Sequence, residues 1–266
     1  MQTFFINTFT GSDCKGNPTV VCLSEEKTLD NECLGLAKKF NVPVTAFVDV
    51  AKQDDLFSIH YFTITKVIPA CGHATLAAAK VLFDLFKKNE ISFITSEQVI
   101  INARQNSEAI FMKYPAYSMI PFPVSTQTLE SLQLNEIAAA GFCTELETLF
   151  IELESADDLR RLQPNYLQLM NSSETIKEVV LTSVADGDRF DYMLRSFCPW
   201  IGIDEDPVTG SAHTSLTPLW AEKLNKNDLT AIQLSKRTGK LSCKMLGERV
   251  KISGRAVTYM IGKVEI

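Results

Sequence analysis

The sequence lacks the short signatures that hold metals and nucleotides. It has no C-x-x-C, no H-x-x-x-H, no G-x-G-x-x-G and no G-x-x-x-x-G-K-[ST], which excludes the usual zinc sites and the glycine-rich phosphate cradles. No window approaches 18 uninterrupted apolar residues, and the opening MQTFFINTFTGSDCKGNP lacks the basic and apolar regions of a secretory signal. An excess of cations is missing too. The 26 Lys and Arg face 32 Asp and Glu, a net charge of −6, and they are scattered rather than striped, which argues against nucleic acid and an anionic membrane surface as partners. Seven cysteines, at 14, 22, 33, 71, 143, 198 and 243, are odd in number and widely spaced, a pattern that fits neither a disulfide framework nor a metal cluster. Most then serve as small core hydrophobes. Cys14, in a glycine-containing loop, and Cys71, beside Gly72 and His73, are the two placed for thiol chemistry. The expectation is a cytoplasmic globular protein of 266 residues, 45% hydrophobic, with one large domain or two smaller ones.

What is present is alternation. Strand-like runs at 3–9, 18–23, 45–50 and 56–63 surround a helix over 29–40. The segment 74–86, ATLAAAKVLFDLF, is apolar almost all round, so that helix must be buried on most sides. Strand-like runs at 91–95, 98–103 and 109–113 follow, and the proline-containing stretch 114–123 reads as a linker or crossover. The second half has a mixed region at 126–171, strand-like runs at 177–183 and 190–196, a helix from about Ser211, then strand-like runs at 229–235, 240–246, 248–253 and 255–264. Pro69 to Ala74 and Pro207 to Ala212 share P-x-x-G-x-A, 138 residues apart from Gly72 to Gly210, each ahead of a helix. The pattern predicts a mixed α/β (α+β) protein of two pseudo-symmetric halves, each built around one central helix. The first half covers 1–115, joined by the last strand 256–266, and the second covers 116–255.

The chemistry concentrates where those helices start. Unpaired N–H groups and the positive dipole end can hold a carboxylate or a developing oxyanion there. The plainer alternative is a turn, with Thr209 or Ser211 as an N-cap. In IDEDPVTGSAHT the crowding of Asp204, Glu205 and Asp206 disfavours joint ionisation, so one carboxyl can keep a proton near neutral pH and act as acid or base. Asp204 and Glu205 also fit a solvated acidic loop, which leaves Asp206, nearest the glycine turn, as the catalytic candidate. Of the three histidines, His60 in a strand-like run reads as structural. His73 in the first turn and His213 in the first turn of the second helix sit where the dipole favours a neutral imidazole that accepts or relays a proton. With no metal or nucleotide signature, the chemistry reads as cofactor-free, with a small molecule as partner.

GNPTVV at 16–21, TAFV at 45–48, YFT at 61–63, CGHATLAAA at 71–79, RSFCPWIGIDEDPVTGSAHTSL at 195–216 and KRTGKL at 236–241 resemble, in order and spacing, the phenazine-biosynthesis isomerase-like (PhzF-like) family. The resemblance runs over nearly the whole chain. It implies the fold of diaminopimelate epimerase and proline racemase: two halves, each a barrel-like sheet wrapped around a helix, with the active site between them. It also implies a homodimer and a cofactor-free isomerisation of a dihydro-hydroxyanthranilate by proton transfer between carbons. Position by position, His73, Asp206 and Ser211 match the family's polar active-site residues, Gly72 and Gly210 its backbone donors, and Asn17 its N-terminal GNP. Two positions depart from it. Where the family has a glutamate before TAFV as central proton shuttle, this chain has Val44, and the run F-T-P…E becomes Phe62-Thr63-Ile64…Val67.

The leading expectation is an isomerase-like enzyme acting on a small carboxylated metabolite, with the helix starts holding the carboxylate or enolate and Asp206 with His73 moving the proton. An epimerase or racemase variant using Cys71 as its single thiol is a rival, with Thr209 standing where a second cysteine would be. The other rival is a pseudoenzyme that keeps the binding cleft after loss of both glutamate positions. No metal is expected in any of the three.

Overall fold

Unbroken apolar runs form strands covered on both faces, and these set the architecture. The structure, a computed structural model, describes residues 1–25, 29–51, 55–106 and 109–265. The chain forms two units, Met1–Tyr114 with Lys251–Ile266 and Pro115–Val250. The return to the first unit thus begins at Lys251, earlier than the 256 expected from the last strand-like run, and Ile266 itself lies outside the described residues.

In the first unit β1 (Gln2–Thr8) pairs antiparallel with β2 (Asn17–Ser24), and α1 (Asp30–Phe40) crosses over to β3 (Val44–Asp49), parallel to β2. β4 (Leu56–Phe62) returns antiparallel to β3, with the short β5 (Val67–Ile68) beside it. The central helix α2 (Gly72–Phe86) leads to β6 (Glu90–Thr95), parallel to β4, and then to the meander β7 (Ile100–Gln105) and β8 (Ile110–Pro115).

The second unit runs β9 (Ile120–Pro121), α3 (Thr126–Leu132), β10 (Ala139–Cys143), β11 (Thr148–Glu152), α4 (Ala156–Arg161) and α5 (Tyr166–Met170). It continues with β12 (Glu178–Val184), β13 (Tyr192–Cys198), β14 (Ile203–Glu205), its central helix α6 (His213–Leu224), β15 (Asp228–Gln233) and β16 (Gly239–Leu246). β17 (Arg249–Gly254) carries the chain back, and β18 (Ala256–Lys263) pairs antiparallel with β1.

The repeat read from two short motifs is a repeat of sheet topology. Antiparallel β1–β2 matches β10–β11, parallel β2–β3 matches β11–β12, and antiparallel β3–β4 matches β12–β13. β4 with β5 and with β6 matches β13 with β14 and with β15, and β6–β7 matches β15–β16. In the first unit α2 touches β1, β2, β3, β6, β7 and β18, so the sheet wraps the helix. Ten of its fifteen residues are buried, and the alanines at 74, 77, 78 and 79 let the strands approach on several sides at once.

Alternation fixes which side chains meet the central helices. Val20, Cys22 and Phe47 pack on Cys33, Leu36 and Ala37 of α1, which turns Thr19 and Val44 to the α2 side. In the second unit Val179 and Leu181 pack with Leu159 of α4 and Leu169 of α5. Glu178, Val180 and Thr182 therefore face α6, where Trp220 Nε1 donates to Thr182 Oγ1 at 3.0 Å.

Two local expectations change. The stretch 114–123 contains a strand, β9, and α6 starts at His213 rather than near Ser211. α6 also holds Pro218, which has no N–H to give the carbonyl four residues back. That carbonyl, Thr214 O, accepts the N–H of Tyr117 at 3.1 Å instead, so the proline docks the connecting segment on the helix.

Candidate functional site

In the first unit the chemistry gathers at the start of α2. Cys71 is the N-cap residue, and among the seven cysteines it is the one left partly exposed. Its Sγ lies 3.4 Å from His73 Nδ1. The turn is held rigidly: Thr75 donates to Cys71 O from its N–H at 3.0 Å and its Oγ1 at 2.7 Å, and Tyr61 of β4 meets Thr75 Oγ1 at 2.6 Å. Burial pushes the Tyr61 phenol well up, so it stays uncharged in that contact. Cys14, the other thiol singled out from sequence, is buried, and His60 is a strand residue with Ser58 Oγ 3.3 Å from its Nε2.

Asn17 begins β2, with its side chain buried and its carbonyl accepting Thr8 Oγ1 at 3.3 Å. Before it, Gly16 has φ +68°, and a Cβ there would sit 2.1 Å from Thr8 O, so only glycine fits. Gly72 and Gly210 do not have positive φ, so no left-handed backbone calls for glycine at either position. Val44 is buried and stands in register beside Thr19, whose hydroxyl has no hydrogen-bond partner among the described residues.

In the second unit Asp206 follows β14 and donates its N–H to Ser196 O at 3.1 Å. Its Oδ2 accepts from Thr209 Oγ1 at 2.6 Å. Gln233 of β15 closes the turn, accepting from Thr209 N–H at 2.7 Å and donating to Asp206 O at 2.7 Å. Thr209 therefore braces Asp206 and is not a helix cap. Ser211 is exposed and does not cap either, since the N-cap of α6 is Ala212 with no side-chain cap bond. Gly210 is buried and accepts His213 N–H at 3.3 Å.

His213 departs from its expected role. It is fully buried, its Nδ1 is 2.6 Å from Tyr192 Oη, and its Nε2 has no partner among the described residues. Burial pushes its pKa down to about 3. The ring is neutral because it is desolvated, not because of the helix dipole, and with no accessible edge it cannot pass protons to a ligand.

The three carboxylates adjacent in sequence have separate surroundings. Glu205 is committed to Arg195, 2.8 Å from its Nε, and Asp204 is exposed. The carboxyl that Asp206 perturbs is Glu178, thirty positions upstream of Val208 and not singled out from sequence. Glu178 Oε1 accepts from Ser196 Oγ at 2.5 Å and Oε2 from Thr148 Oγ1 at 3.1 Å. The residue keeps part of its surface exposed, yet desolvation dominates its surroundings and its pKa rises to about 7. The signal that could have found it is the internal repeat, because Thr148 stands beside Glu178 as Thr19 stands beside Val44.

Each unit has a concavity built partly from connecting segments. One of about 440 Å³ is lined by Thr10, Gly11, Ser12, Lys80, Asn106 and Arg255, among others. The other, about 180 Å³, is lined by Met119, Pro121, Phe150, Glu152 and Leu219 with neighbours. None of the sequence-predicted site residues lines either one. Among the described residues no group of three or more His, Cys, Asp or Glu could hold a metal ion, and no helix is long and apolar enough to cross a membrane.

Comparison with known proteins gives a consistent result. The family model described as phenazine biosynthesis-like protein matches residues 6–262. An uncharacterized isomerase of Pseudomonas aeruginosa is 34% identical over 263 residues, covering 98% of this chain and 97% of that protein. The crystal structure of a phenazine biosynthesis PhzC/PhzF protein from Clostridium difficile is similar at TM-score 0.89 and 32% identity, with 100% of both chains covered. A hydroxyproline epimerase from Agrobacterium vitis shares the fold alone, at TM-score 0.62 and 10% identity over 98% of this chain and 91% of that one.

Proposed function

The chain belongs to the phenazine biosynthesis-like PhzC/PhzF family, which includes isomerases, and on that premise we propose that it isomerises a small carboxylated metabolite by proton transfer between carbons, without a cofactor. The observation that carries this reading is that both central helices follow a braced turn bearing ionisable side chains, Cys71 and His73 at the start of α2 and Asp206 in the turn that leads into α6. Backbone N–H groups at such a start favour a carboxylate or an enolate. In this reading Asp206, braced by Thr209, takes a proton from carbon as the C–H pair moves into the enolate, and His73 assists the transfer. The proton count is unchanged at the end, so no oxidant or reductant is needed. The same reading has the protein acting in the cytoplasm as a homodimer, which sedimentation at micromolar concentration tests.

The deciding experiment is deuterium incorporation from D₂O into a dihydro-hydroxyanthranilate, proline and hydroxyproline, followed by NMR. Exchange into at least one acid, reduced about 10²–10⁴-fold by Asp206→Asn, is expected for a lost general base. Binding of these acids with no exchange in the wild type favours the pseudoenzyme.

The one-thiol epimerase remains a second reading because Cys71 is partly exposed and contacts His73, an arrangement that suits a thiolate base. Alkylation of Cys71 with iodoacetamide separates the two enzymes. It abolishes exchange if the thiol is the base, and Cys71→Ala retains exchange if Asp206 is.

A further inference from the structure

Glu178 lies within the machinery of the second unit without having been assigned a part in it. It opens β12 on the α6 side of the sheet, flanked by β11 and β13. From β11 comes the hydroxyl of Thr148, and from β13 the hydroxyl of Ser196, so each carboxyl oxygen accepts one hydrogen bond. The titratable groups that act on this neighbourhood are Cys198, at the end of β13, and Asp206, whose N–H bonds to Ser196 O. Ser196 thus joins both acids: its side chain holds Glu178 and its carbonyl holds the backbone of Asp206.

In the first unit the matching register position is Val44 beside Thr19, whose hydroxyl lacks a partner among the described residues. One unit of the repeat keeps a hydroxyl-held carboxyl, and the other keeps the hydroxyl without the acid.

We propose that Glu178 is a proton-carrying catalytic residue of this chain, working with Asp206 on the carboxylated substrate; this rests on the isomerase reading. Desolvation, reinforced by the charge of Asp206 and opposed by the two hydroxyl donors, brings its pKa to about 7, so both protonation states are populated at neutral pH. In the step, Asp206 takes a proton from one substrate carbon as the C–H electron pair enters the enolate, and the Glu178 carboxylic acid gives its proton to a second carbon as the enolate pair forms the new C–H bond; Asp206 then passes its proton to the Glu178 carboxylate, which restores both groups.

The test uses the full chain with glutamate carboxyls labelled with ¹³C, in wild type, Glu178→Gln, Glu178→Asp and Asp206→Asn. Carboxyl titration by NMR from pH 4 to 9 runs beside the D₂O exchange assay. One glutamate resonance with a midpoint near neutrality, absent in Glu178→Gln and shifted to lower pH in Asp206→Asn, is expected. Exchange should fall about 10²–10⁴-fold in Glu178→Gln, with KM changed far less, with loss of the pH-profile limb near neutrality and partial recovery in Glu178→Asp. A folded Glu178→Gln that exchanges like the wild type overturns the proposal, as does a neutral-range resonance that survives the substitution. If the wild type exchanges no acid, the isomerase reading fails instead. The titration then decides alone: a midpoint that falls in Asp206→Asn supports the coupled pair, and an unmoved one overturns it.

Discussion

Two threonines with the same neighbour position should respond oppositely to the same change. Thr19 Oγ1 is buried with no partner among the described residues, and Thr148 Oγ1 bonds Glu178. Replacing an unsatisfied hydroxyl with a methyl of similar shape removes a desolvation penalty, so Thr19→Val should stabilise by about 1 kcal/mol. Thr148→Val should destabilise by about 1 kcal/mol and raise the Glu178 midpoint, because it deletes a donor to the carboxylate. Denaturant midpoints of both variants at pH 8, where Glu178 is mostly ionised, check the pair. Val44→Glu is the third residue-scale test. A carboxyl introduced there has the Thr19 hydroxyl beside it, so the loss should stay within about 1–3 kcal/mol. The folded variant is expected to gain deuterium exchange on a dihydro-hydroxyanthranilate. A folded variant with no gain would mean that the first unit no longer supports a proton shuttle at this position.

At the scale of elements, the turn into β2 and the proline in α6 each fix the course of a connecting segment. Gly16 lets the chain turn at φ +68° with Thr8 O within 2.1 Å of a Cβ position. Gly16→Ala is therefore expected to cost more than about 1 kcal/mol, beyond the usual glycine-to-alanine range, with the loss visible as a lowered denaturation midpoint. Pro218 leaves Thr214 O to Tyr117 N–H. Pro218→Ala supplies a competing helical N–H to that carbonyl, and amide hydrogen exchange at Tyr117 should quicken while the α2 amides, enclosed by six strands, keep their protection.

Across the whole molecule, two buried groups set opposing pH slopes. Glu178 has an ordinary pKa of 4.5 and a folded one of about 7, so the folded state binds the extra proton and stability falls as pH rises through that interval. His213 goes from 6.5 to about 3, so the unfolded state binds the extra proton and stability falls as pH drops through that interval. Where the two windows overlap, between pH 4.5 and 6.5, the slopes oppose each other at up to about 1.4 kcal/mol per pH unit each. The wild type should change little with pH there. Glu178→Gln should become more stable as pH rises across the window, and His213→Gln less stable, both read from denaturant midpoints at pH 4.5, 5.5 and 6.5.

The sequence by itself determined the mixed α/β class, the position of the buried helix at 74–86, the two P-x-x-G-x-A turns and the family, because these depend on local pattern: period, apolar runs and short spacings. The positions of Asp206, Cys71 and His73, each within a few residues of a glycine turn, were legible for the same reason. The partners of those residues were not. The offset of the repeat drifts from 129 residues between Thr19 and Thr148 to 134 between Val44 and Glu178 and 138 between Gly72 and Gly210. The segment between β11 and β12, with α4 and α5, is longer than the one holding α1, and a fixed-period comparison of the halves therefore never sets Val44 against Glu178. Only parallel strand register, a tertiary property, makes that match. His213 shows the converse: its place at a helix start is local, but burial against Tyr192 comes from a strand twenty-one residues away, and desolvation there outweighs what the helix end would do.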